Sequence, residues 1–134
     1  MRILALDIGD VRIGVAISDP LGISTNGIET HLSQGKEKDV AYFAEMARSR
    51  SCEKILLGLP LNMDGSEGDR AEKVRDFGTA LAEKSGLEVV YEDERLTTVE
   101  AEEMLIEAGL SRQERKKVID KVAAEIILRC YLNK

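Results

Sequence analysis

The chain holds two cysteines, two prolines, one histidine and no tryptophan among its 134 residues. Each scarcity closes a route. Cys52 and Cys130 stand in no metal-ligand or redox spacing, which predicts reduced thiols in a cytoplasmic protein rather than a disulfide scaffold. A lone histidine, His31, leaves no Ser-His relay and no His-rich zinc site to build. No apolar run approaches the ~20 residues of a membrane span, so no membrane partner is expected. A signal peptide is not expected either, because Arg2 begins no basic region and Asp7 and Asp10 interrupt the first apolar stretch. Positive charge is also short: the net charge of −6 argues against non-specific coating of nucleic acid. A local basic groove stays compatible with that total, since placement matters more than the sum.

What remains is regular patterning over a length that predicts one domain, residues 1–134. Such a chain buries roughly two thirds of its unfolded surface and needs no disulfide or metal to fold. Ile3 to Ile8 is an almost continuous apolar run, as expected of a strand covered on both faces. Gly9-Asp10 is turn material, and Gly14 to Ser18 reads as a second strand antiparallel to the first. Asp19-Pro20-Leu21-Gly22 makes another turn before a third strand near Ile23 to Thr30.

Helical spacing follows. Val40, Phe43, Ala44 and Ala47 fall on one face, and Val74, Phe77, Leu81 and Ala82 mark a second helix stopped at Gly86. Between them "KILLGLP" suits a buried parallel strand, and "LEVVY" is the next. Thr97 with Glu100 predicts a capping box for a helix burying Ala101, Met104, Leu105 and Ala108. Ser111 with Glu114 opens the last helix by the same device, with a buried stripe of Val118, Val122, Ile126 and Ile127. The order βββαβαβαα predicts an α/β fold, a mixed sheet of about five strands with helices on both faces. Right-handed crossovers then make the first strand, "KILLGL" and "LEVVY" parallel, with their C-terminal ends at one edge, where open α/β sheets bind ligands.

That edge gathers acids. Asp7 sits where a buried strand leaves the core, a place that favours the neutral carboxyl unless a cation is near. Taken singly it reads equally well as a turn aspartate. In "YEDERLTT" Glu92, Asp93 and Glu94 emerge beside Arg95, and alternation forbids Asp93 and Glu94 both facing inward. Arg95 could bind a phosphate or pair with the other acid. Asp120, on the last helix, is followed by Ala123 and Ala124, small enough for close approach to the sheet. Lys116 and Lys117, one turn earlier, offer it an ordinary salt bridge instead.

Three acids converging from a strand end, a loop and a helix would repel one another, and hard divalent cations such as Mg²⁺ would relieve that cost. Two ions roughly 4 Å apart can promote phosphodiester cleavage. The loop after Pro60 places Asn62, Ser66 and Arg70 just before a helix N-terminus, a setting that suits phosphate and equally a polar surface loop. "SRQERKKVIDK" clusters Arg112, Arg115, Lys116, Lys117 and Lys121, a candidate contact to a phosphate backbone or a solvated helix face.

Four blocks carry a resemblance: "LALDIGDVRIGVAISD", "LLGLPLNMDGSEGDRAEKVRDF", "DERLTTVEAEEML" and "RKKVIDKVAAEIIL". Together they resemble the bacterial YqgF/RuvX family, in its order and spacing, over well over half the chain. The resemblance implies an RNase H-like fold and a cytoplasmic, Mg²⁺- or Mn²⁺-dependent nuclease of precursor 16S rRNA, with ribosomal particles as possible partners. It places the family's acids on Asp7, an acid of "DER" (Glu94 in preference to Asp93) and Asp120, and it retains Arg12. One departure is Asp10-Val11, where the family usually has Thr-Lys or similar, which sets an extra acid beside the site. Competing expectations are resolution of Holliday junctions in branched DNA, which would require a dimer, and a non-catalytic ribosome-associated binding module. An actin- or sugar-kinase-like ATPase, suggested by "DIGDVRIG", would need a second domain for which there is no room.

Overall fold

The computed structural model describes residues 1–95 and 97–134, and of Thr98 the backbone. Among these residues nine elements run in the expected order: β1 (Ile3–Ile8), β2 (Arg12–Ser18), β3 (Thr25–Leu32), α1 (Lys36–Ser49), β4 (Lys54–Leu59), α2 (Asp69–Ser85), β5 (Glu88–Asp93), α3 (Thr97–Glu107) and α4 (Arg112–Leu132). The five strands form one sheet ordered β3-β2-β1-β4-β5. β1, β2 and β3 are an antiparallel meander, while β1, β4 and β5 are mutually parallel. The parallel set therefore ends at one edge, as the crossover rule requires. The third strand lies two residues later than expected, because Asp19 holds the preceding turn through Ile23 N–H at 2.7 Å.

The two faces of the sheet are unlike. On one, Leu4, Leu6, Ile13, Val15, Ile55 and Leu57 pack under α1 and α2 against Phe43, Val74 and Phe77. On the other, Ala5, Ala16 and Leu56 meet only α4, through Ala124, Ile127 and Leu128. The small residues there let one helix lie close across the strands. α3 packs on α4: Ala101 meets Ala123 and Ile126, so among the described residues it forms an outer layer. In consequence Met104 is 40% exposed and Ala108 is exposed, contrary to the face expected of them. α4 likewise departs from a single stripe. It is buried toward both the sheet and α3, which centres its core on Ala123, Ala124, Ile126, Ile127 and Leu128, with Val118 and Val122 half-buried.

The Ser111–Glu114 capping box is present, with both reciprocal hydrogen bonds. Thr97, by contrast, already lies inside α3, and the residue before it is outside the described residues, so the expected capping box at Thr97 is not where the helix is capped.

An unexpected polar knot ties β3 to α1. Asp39 is 2% exposed and accepts hydrogen bonds from Ser33 Oγ (2.5 Å) and Gln34 N–H (3.0 Å), with His31 Nε2 at 3.1 Å. His31 in turn stacks on Tyr42. Burial alone would raise the carboxyl's pKa, but these donors outweigh it and hold it low. Its contribution to stability is therefore present above the ordinary value of 3.8 and is lost only as pH falls through the lower folded value. We expect Asp39→Ala to cost about 1–3 kcal/mol at neutral pH, since the freed donors are left buried. Denaturant titration at pH 7 and pH 3 checks this: the penalty should shrink at the lower pH.

Candidate active site

Alternation along the strands decides which side chains meet. On β1, Ile3 and Ala5 face α4, and Asp7 continues that series at the parallel edge. Gly14 is its partner on β2, and Gly58 shares the face on β4. On β5, Val90 packs toward α4, so Glu92 and then Glu94 follow it, while Asp93 turns to the opposite side. Glu94 N–H donates to the Leu59 carbonyl at 3.2 Å, carrying the β4–β5 ladder one residue past the strand. Of the two acids in "DER", Glu94 is thus the one aimed at Asp7.

Their carboxyl groups come within hydrogen-bonding reach of each other. Burial, then the charge of Asp7 and the hydrogen bond to it, push Glu94 up to about 9. Asp7 is raised as well, chiefly by burial and further by the charge of Asp120, with Glu94 and Arg70 acting in the opposite sense. Both carboxyls are thus pushed toward their neutral forms, as expected of coupled acids at a buried site.

Two strand glycines border this pair. A Cβ at Gly58 would stand 2.6 Å from Glu94 Oε2 and from Ile127 Cδ1. A Cβ at Gly14 would overlap the backbone carbonyl of Asp120, so α4 presses directly on the strand residue paired with Asp7. That contact brings Asp120 into electrostatic range of the pair. Its own carboxyl is raised by partial burial, opposed by the Arg12 guanidinium. Among the described residues, no three acidic, histidine or cysteine side chains form a ready ion cage. Asp7 and Glu94 meet, and Asp120 stands behind them.

The cations sort into two groups. Arg70, in the first turn of α2, lowers both Asp7 and Glu94. Arg12 acts on Asp120, and Lys116 and Lys117 are exposed on the turn of α4 before it. Others have structural work. Arg95 grips Asp93 (Nε 2.9 Å, Nη2 2.8 Å) and the Met63 carbonyl at 3.1 Å, fixing the loop on the far side of Glu94. Arg115 binds Glu102 and the Leu110 carbonyl, locking α3 to α4. Asn62 donates to Ser66 Oγ at 3.0 Å inside a tight loop that Asp64 also closes, so both polar residues shape the loop. Asp10 faces Lys73 at 3.7 Å, with both side chains exposed.

Sequence reasoning missed Gly14 and Gly58, although a glycine inside a strand is itself a signal of close approach. It also missed Asp39. Ser33 and His31 do meet around that acid, but both contact the carboxylate, which is no nucleophile relay.

The donor chemistry suits a hard divalent ion. Three carboxyl groups are gathered at this edge: Asp7 and Glu94 side by side, both raised, with Asp120 within electrostatic reach.

The whole chain, residues 1–134, matches the family described as "RuvX: Holliday junction resolvase". A Halothermothrix orenii protein named "Putative pre-16S rRNA nuclease" is 53% identical over 99% of this chain and 95% of its own length. A Lactococcus lactis subsp. cremoris protein of the same name is 48% identical, over 98% and 94%. Among solved structures, Thermus thermophilus RuvC in complex with a Holliday junction substrate superposes with a TM-score of 0.62 at 15% identity, covering 100% of this chain and 97% of that one. Fowlpox virus resolvase with Holliday junction DNA gives 0.63 at 14%, covering 99% and 97%. At such identities the likeness carries the fold, which is RNase H-like.

Proposed function

We propose, from the premise that this chain belongs to the RuvX family, that it is a metal-dependent nuclease hydrolysing phosphodiester bonds in precursor 16S rRNA. The observation that carries the reading is the close pairing of the Asp7 and Glu94 carboxyl groups at the parallel strand edge, with Asp120 in electrostatic reach. Two carboxyl groups held together against their own repulsion are poor for stability and well suited to a cation. Asp7 and Glu94, with Asp120 behind them, would hold Mg²⁺ or Mn²⁺. When bound, such ions supply activation of the attacking water and neutralisation of charge at the leaving oxygen, in a two-ion arrangement.

The remaining steps belong to the chain's own residues. Arg70 draws the phosphate to the pair and offsets its charge. Arg12 opposes the rise that partial burial gives the Asp120 carboxyl. Lys116 and Lys117 meet the phosphate backbone beyond the edge, and Arg95 and Asn62 position the flanking loops. Gly14 and Gly58 keep the three acids in their spacing. A cytoplasmic setting, with ribosomal particles as partners, goes with this substrate. Among the described residues no helix is long and apolar enough to cross a membrane.

A second reading has its own support. The family description and the two structural neighbours favour cleavage of four-way DNA junctions, and the same edge would serve either polymer. A side-by-side assay decides, offering precursor rRNA and a four-way junction to the protein with Mg²⁺, Mn²⁺ or chelator. We expect metal-dependent cutting of the rRNA. Exclusive cutting of the junction by a dimer would favour the second reading, and no cutting of either would leave a binding module.

A further inference from the structure

A cleft of about 240 Å³ opens on the α1/α2 side of the same sheet edge, and no step above uses it. Ile8, Ile13 and Phe77 are among the apolar residues of its floor. Lys36, Arg70 and Lys73 stand on its rim. Two helices begin beside it, α1 behind Gly35 and α2 behind Gly68, and neither glycine caps the free N–H groups with a side chain. Of the acids lining it, Asp39 is already engaged by Ser33, Gln34 and His31, and Asp10 is exposed opposite Lys73. An apolar floor under a cationic rim suits a flat ring carrying a phosphate. The volume falls below the roughly 300–1,000 Å³ of sites that enclose drug-sized ligands, so a single base is the appropriate size.

Position ties the cleft to the acids. Ile8 follows Asp7 along β1 and points to the opposite face, and Arg70 both lines the cleft and acts on Asp7 and Glu94. We propose that the cleft receives one unstacked base of the substrate strand, adjacent to the phosphate presented to Asp7 and Glu94. This inference rests on the nuclease reading for its choice of ligand. It makes the substrate a strand that is single-stranded at the cut, because a base within a duplex cannot enter.

The test is a binding experiment, independent of cutting. Single-stranded RNA carrying 2-aminopurine at successive positions is titrated with protein in Ca²⁺, and an abasic version is compared at each position. In the parent, one position should brighten on binding, and removing that base should weaken binding about ten-fold. Val74→Phe, which fills the cleft, should abolish both effects. Lys36→Glu with Lys73→Glu, a surface change that spares the core, should itself weaken the intact strand about ten-fold and erase most of the difference. Brightening at no position, or an abasic penalty equal in parent and variants, overturns the proposal. Normal rRNA cutting with no brightening would sink the cleft and leave the nuclease. Brightening with no cutting under any metal would sink the nuclease and leave the cleft.

Discussion

Asp7→Asn should remove cleavage by three orders of magnitude or more and, in the same protein, raise the stability of the metal-free fold by about 1–2 kcal/mol. The two effects share one cause. Glu94 has an ordinary pKa of 4.5 in the unfolded chain and about 9 beside Asp7. Between those values the folded protein keeps a proton that the unfolded chain has released, so stability must fall as pH rises through that window. The asparagine amide can donate to Glu94 and brings no charge, so the Glu94 pKa drops and the decline flattens. Chemical denaturation in chelator at pH 5 and pH 8 measures this directly, and the gain should be larger at pH 8. Adding Mn²⁺ should stabilise the parent at pH 8 and leave the variant nearly unchanged. If Asp7→Asn cut like the parent, or lost stability at pH 8, the carboxylate pair would not be the catalytic centre.

The fold was legible because most elements declare their buried face locally. Val40, Phe43 and Ala47 on α1, or the run through Ile55 to Leu57 on β4, need only a period to be placed. The parallel edge follows from chain handedness, and with it the meeting of Asp7 with the residues after β5. Asp120 was harder. A helix acid three residues from Lys117 looks like half of a surface ion pair, and what sets it apart is Gly14, more than a hundred residues earlier in the chain. α4 hid its true stripe because it is buried on two sides, and two overlapping faces blur one period. Asp39 was invisible for a different reason. An acid in the first turn of a helix is ordinary, and only tertiary packing brings His31 of β3 onto it.

Gly14→Ala carries the second large effect, through geometry alone. The added methyl would coincide with the Asp120 carbonyl and crowd Lys121 N at 3.0 Å, both of them helix backbone. A helix interior cannot give way one atom at a time, so α4 must lift off the sheet as a body and take Asp120 with it. Overpacking of this kind costs about 1–3 kcal/mol, and a shift of about 1 Å at a catalytic group costs about a hundred-fold in rate. Gly27→Ala is the control. Its nearest neighbours are the carboxylate of Glu125 and Cγ and Cδ of Lys121, side-chain atoms that a change of rotamer can move while the helix backbone stays in place. We therefore expect Gly27→Ala to stay within about 1 kcal/mol of the parent and to keep its cutting rate, while Gly14→Ala loses both. Thermal unfolding and single-turnover cleavage, run on the two variants together, separate the cases. Equal behaviour of the pair would mean that the distance of α4 from the sheet does not set the activity, and that Asp120 acts from wherever the helix happens to lie.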